Sequence, residues 1–92
     1  MKLGTVTQQP DERLSYTINY TEALPKGDNV LSAEAKVEPA GLIVENVTPM
    51  DPHVRLWLRG GMDGVTYKVS VTTQTADGRT FQDEIMVKIK EV

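Results

Sequence analysis

Apolar and polar residues alternate with a period of two along most of this chain. That spacing buries one face of a strand rather than one stripe of a helix. In LSYTINY, Leu14, Tyr16, Ile18 and Tyr20 share one face, and Ser15, Thr17 and Asn19 share the other. VLSAEAKVE sets Leu31, Ala33, Ala35 and Val37 inward, and GLIVENV gives a short strand after the turn Pro39-Ala40-Gly41. HVRLWLR buries Val54, Leu56 and Leu58, TYKVSVTTQT buries Tyr67, Val69 and Val71, and the last run buries Phe81, Ile85, Val87 and Ile89. A first strand, from about Leu3 to Gln8, ends before Pro10, while ALPKGDN and TPMDP carry the residues of loops. SAEAKVE has helical propensity, but its alternation and flanking turns favour a strand. Six or seven short strands with regular turns predict an all-β, immunoglobulin-like antiparallel sandwich, with barrel closure as the alternative.

The last hairpin is specified more closely. Directly opposed residues in an antiparallel pair share a face. A two-residue Asp77-Gly78 turn sets inward Val71 against outward Glu84, so that register fails. A three-residue loop, Ala76-Asp77-Gly78, sets Val69 against Ile85 and Tyr67 against Val87, and places Gly78 where the left-handed conformation is needed. The same register turns Asp83 inward opposite Val71, so its carboxylate needs a rim position, a partner or a bulge.

A chain of 92 residues holds one core, so residues 1–92 are expected to form a single immunoglobulin-like domain. With no cysteine there is neither a disulfide framework nor a thiolate metal site. A net charge of −3 argues against binding a phosphate backbone. No apolar run approaches the ~20 residues of a membrane span. The opening MKLGTVTQQP lacks the apolar core of a signal peptide, so folding in a cytoplasm is expected.

The glycine-rich knot RGGMDG invites a ligand-binding reading. Phosphate-cradling loops lead from a strand into a helix whose N-terminus faces the anion. Here VTYKVSV follows, which is a strand, so Gly60, Gly61 and Gly64 are expected to turn the chain. His53 is the only histidine, and no calcium-loop spacing is present, so no metal or other cofactor is expected. Asp51 lies two residues from His53, but Ser15, Ser32 and Ser70 all fall on outward strand faces and none is marked as a nucleophile. Asp83 and Glu84 point to opposite faces, and no catalytic residue is assigned. Two N-x-T triplets, at Asn19 and Asn46, are read as chance matches.

Trp57 stands apart. It is out of phase with Val54, Leu56 and Leu58 and shares the outward side with Arg55 and Arg59. A tryptophan flanked by arginines has the composition of a protein-interface hot spot, and the guanidinium groups can stack on it. The competing reading is that a loop or the first strand covers the indole within the domain.

Taken in order, QQPDERLSYTINY, GDNVLSAEAKVEPAGLIV and VRLWLRGGMDGVTYKVSVTTQTADGRTFQDEIMVKIKEV span nearly the whole chain. Together they resemble a group of small immunoglobulin-like bacteriophage virion proteins, the fiber-tail adaptor or tail-associated proteins. The resemblance implies a non-catalytic structural part of a phage or prophage tail, assembled in the host cytoplasm. Its partners would be other tail proteins, in several copies, with neither nucleic acid nor a membrane span involved. Trp57, Gly60 and Gly61 fall on the W-L-x-G-G element of that pattern, which reads as scaffold. A carbohydrate- or cell-surface-binding module is the rival reading. It wants two or three exposed aromatic residues, whereas Tyr16, Tyr20, Tyr67 and Phe81 are expected inward.

Overall fold

The computed structural model describes residues 1–91 and contains no helix. Its strands are β1 (Lys2–Gln8), β2 (Arg13–Asn19), β3 (Val30–Glu38), β4 (Leu42–Met50), β5 (His53–Gly60), β6 (Thr66–Thr75) and β7 (Thr80–Ile89). They form a β-sandwich with a four-stranded sheet, β1-β7-β6-β3, and a three-stranded sheet, β2-β5-β4. The inner faces meet in one core that includes Val54, Leu56 and Leu58 from β5 and Tyr67, Val69 and Val71 from β6. Period-two alternation along β5 and β6 supplies those side chains.

In an immunoglobulin constant domain the first strand joins the second, fifth and fourth in one sheet. Here β1 has crossed over and runs parallel to β7, so one pair departs from the expected antiparallel pattern. Gln8 anchors the crossing. Fully buried, its amide donates to the Leu58 carbonyl at 2.8 Å and the Glu12 carbonyl at 2.9 Å, and its Oε1 accepts from the Tyr16 hydroxyl. Burial pushes the Tyr16 phenol pKa up, with the Glu12 charge adding to the shift.

Two expected core residues are outside it. Leu31 is 63% exposed because a bulge between Val30 and Ser32 turns Val30 inward in its place. Leu14 opposes buried Leu58, so it faces the interior, yet it is 37% exposed because β1 does not cover that edge. TPMDP, expected as loop, supplies the last residues of β4.

The β6–β7 hairpin adopts the three-residue loop, with Val69 opposite Ile85 and Tyr67 opposite Val87. Gly78 closes it at φ 91°, and its amide donates to the Thr75 carbonyl at 3.0 Å. Asp83 sits opposite Val71 and is buried. Its partner is the Tyr20 hydroxyl, which donates to Oδ2 at 2.6 Å and lies 3.0 Å from the Thr73 hydroxyl. Desolvation, reinforced by the Asp83 hydrogen bond, drives the Tyr20 phenol pKa well above its ordinary value. Phe81 stacks on Tyr20 with ring centroids 5.3 Å apart.

Candidate protein interface

The glycine knot closes over Tyr67. This ring is buried at the start of β6, and its hydroxyl accepts a hydrogen bond from the Met62 amide at 2.9 Å. A tyrosine at that corner, bonded to backbone a few residues upstream, is a hallmark of immunoglobulin sandwiches. Gly60, Gly61 and Gly64 all have positive φ. At Gly61 a Cβ would lie 2.6 Å from Ile89 Cγ1 and 3.1 Å from Tyr67 Cε2, so the backbone must pass without a side chain. The loop holds the corner together, and its space is filled from within.

The outer face of the three-stranded sheet is different. β5 is its central strand and projects His53, Arg55, Trp57 and Arg59 outward, opposite in phase to the core residues. The register places Ser15 and Glu45 on either side of Trp57, Thr17 and Thr48 beside Arg55, and Arg13 and Ile43 beside Arg59. Trp57 is half-buried. Its indole N–H meets no acceptor among the described residues, and no buried side-chain nitrogen or oxygen lacks a partner, so the N–H reaches the surface.

The cation on the indole is not one of the two that flank it along β5. Arg13, diagonal to Trp57 on β2, lies with its Cζ 4.2 Å from the ring centroid. Neighbours along a strand on one face are nearly 7 Å apart, whereas long side chains reach diagonally across strands. Arg13 is fixed in turn by Glu45, whose Oε1 accepts from Arg13 Nε at 3.0 Å and lies 2.9 Å from Arg59 Nε. The Arg13 hydrogen bond, helped by both arginine charges, holds the Glu45 carboxyl below its usual range despite partial desolvation. Arg55 forms no ion pair among the described residues. Exposed Ile43 and Met50 add apolar area on the same face.

Trp57, Arg55 and Arg59 thus share one surface, whereas Gly60 ends β5 and Gly61 and Gly64 lie beyond it. Arg13 and Glu45 escaped the reading of the sequence although its alternation places both outward, because their position beside Trp57 depends on strand order. Asp28 was also missed. In the loop before β3 its side chain is buried, accepting from the Asn29 and Asp77 amides and, at 3.1 Å, from Arg79. Burial alone would raise its pKa, but hydrogen bonds from Thr75, the two amides and Arg79 bring it below the ordinary value. Among the described residues no three His, Cys, Asp or Glu side chains gather as a metal cage would require.

Comparison with known proteins adds the biological context. No curated protein matches the chain. The family model described as podophage GP4 fiber-tail adaptor protein gp77 matches residues 8–88, from the buried glutamine that ties β1 to the core through most of β7. With a match of that extent on an all-β sandwich, the chain belongs to the gp77 family of podophage fiber-tail adaptors.

Proposed function

We propose that this chain is a non-catalytic, single-domain component of a phage tail. It joins tail and fiber proteins through the outer face of its three-stranded sheet, with Trp57 at the centre. Assembly takes place in the host cytoplasm, and several copies per tail multiply the strength of each contact.

One observation carries the reading: the half-buried indole is already held by Arg13, and Arg13 by Glu45, beside an uncommitted Arg55. A side chain fixed before binding loses little entropy on binding, and rigid aromatic and arginine anchors dominate interface energetics. Arg55 supplies a charge that a carboxylate on the partner can meet. A carbohydrate-binding role has less support, because Tyr20 and Tyr67 are buried and Tyr16 and Phe81 half-buried.

Trp57 is the only tryptophan, so its fluorescence reports on this face alone. Titration with the purified tail and fiber proteins of the same phage should shift its emission to shorter wavelength as water leaves the indole. Saturable binding with an unchanged emission spectrum places the contact elsewhere.

A further inference from the structure

Four strands end sheets in this sandwich: β1 and β3 border the four-stranded sheet, β2 and β4 the three-stranded one. Edge strands expose unpaired N–H and C=O groups, and soluble domains blunt them with bulges, prolines or lysines. β1 is irregular between Lys2 and Gly4, β3 between Val30 and Ser32, and β4 between Glu45 and Thr48, with Pro49 beyond. β2 has none of these devices. From Arg13 to Asn19 it pairs with β5 without a shift.

The hydrogen bond from the Tyr20 amide to the Pro52 carbonyl, at 2.9 Å, fixes the phase of this pairing. In antiparallel alternation the even-numbered residues of β2 then bond to β5, leaving the backbone groups of Ser15 and Thr17 directed to the empty side. Beside that edge, between the sheets, lies a cleft of about 210 Å³ whose lining includes Leu3, Val6, Tyr16, Ile18 and Ile85. Leu14 stands inward-facing but uncovered on the same strand. The open position is the one a first strand occupies in the immunoglobulin constant order.

We propose that the β2 edge receives an extended segment of another tail or fiber protein by strand addition. Such a segment gains affinity from main-chain hydrogen bonds and specificity from pockets for alternate side chains. Its aliphatic residues, one in two, enter the cleft and cover Leu14. The intervening residues are polar or acidic, since the outward face beside this edge sets Arg13, Arg55 and Arg59 against the one carboxylate of Glu45. A second copy's β2 fits poorly, because its Tyr16 hydroxyl is already committed to Gln8 and its outward side repeats the same cation. This edge serves whether or not the Trp57 face binds.

Hydrogen exchange of the whole chain, free and within assembled tails, reads these backbone groups directly. Residues 13–19 should exchange more slowly in the tail, by roughly tenfold or more at Ser15 and Thr17. Because the chain has no cysteine, Thr17→Cys provides a single thiol, and a short cross-linker on it should join a different tail or fiber protein. Ser15→Lys, which guards an edge by charge, should cut incorporation roughly tenfold without moving the urea midpoint. Thr17→Pro removes an outward N–H and should do the same. Unchanged exchange at Ser15 and Thr17, cross-links to a second copy of this chain, or wild-type incorporation of Ser15→Lys would overturn the proposal.

Discussion

On the outer face of the four-stranded sheet, the ladder sets Ser70 beside Glu84, Thr72 beside Gln82 and Lys68 beside Met86. On the outer face of the three-stranded sheet, the same alternation sets Trp57 between Ser15 and Glu45, under Arg13. The first surface is mostly short hydroxyls, amides and solvated charges, whose side chains lose little by staying in water. The second holds a large aromatic ring in place with a cation and a shared carboxylate. Period two decides which residues face outward, and residue type decides whether that face is only solvated or carries an ordered aromatic ring, the feature on which the proposed docking rests.

The contrast fails first if the glycine knot, rather than the Trp57 face, is the binding element. Gly61→Val should then weaken partner binding while sparing the fold. We expect the opposite, a loss of about 3 kcal/mol or more in stability, because overpacking against Ile89 and Tyr67 adds to backbone strain at positive φ. Urea denaturation checks it. Gly78→Val should cost less, roughly 1–3 kcal/mol, since its Cβ site is open and only the strain at φ 91° remains. That change tests the hairpin carrying half of the four-stranded face.

A pH series sharpens the electrostatic side. Glu45 and Asp28 have folded pKa values lowered from 4.5 and 3.8, so each stabilises the fold above its unfolded pKa. That contribution disappears as pH falls through the folded values. Acid titration should leave stability level from neutrality to about pH 5 and lower it below about pH 4. Asp28→Asn should flatten this acid limb, and an unchanged limb would show that the Asp28 cluster contributes nothing. The smallest effect belongs to the other face. Lys68→Ala breaks only an exposed pair with Glu38 and should stay within about 0.5 kcal/mol of wild type, with unaltered tail incorporation.

The sequence made the strands legible because the alternation is strong in β5, β6 and β7. It also carried the hairpin register, through the need to place Val69 and Ile85 on one face. What it did not carry depends on neighbours distant in the chain. Leu31 lost its inward place to Val30 through one bulge, and Leu14 lost its cover because β1 joined the other sheet. The outward phase of Trp57 was readable, while its Arg13 partner was not, because pairing of β2 with β5 brings together residues far apart in sequence. Gln8 and Tyr67 gave even less notice. A buried amide looks like any strand-end glutamine, and a corner tyrosine like any core aromatic, until the upstream backbone is in position.

Trp57→Ala, followed in two assays, tests the docking face most directly. The isolated domain should keep its urea midpoint within about 0.5 kcal/mol, as for a surface change, allowing somewhat more for the lost Arg13 contact. Incorporation into tails, measured against wild type with the same tail and fiber proteins, should fall by the equivalent of about 2 kcal/mol or more. A domain that unfolds more readily by about 3–5 kcal/mol would make the indole part of the core. A stable domain that still enters tails at wild-type strength would make this face ordinary surface, and either result would contradict the account.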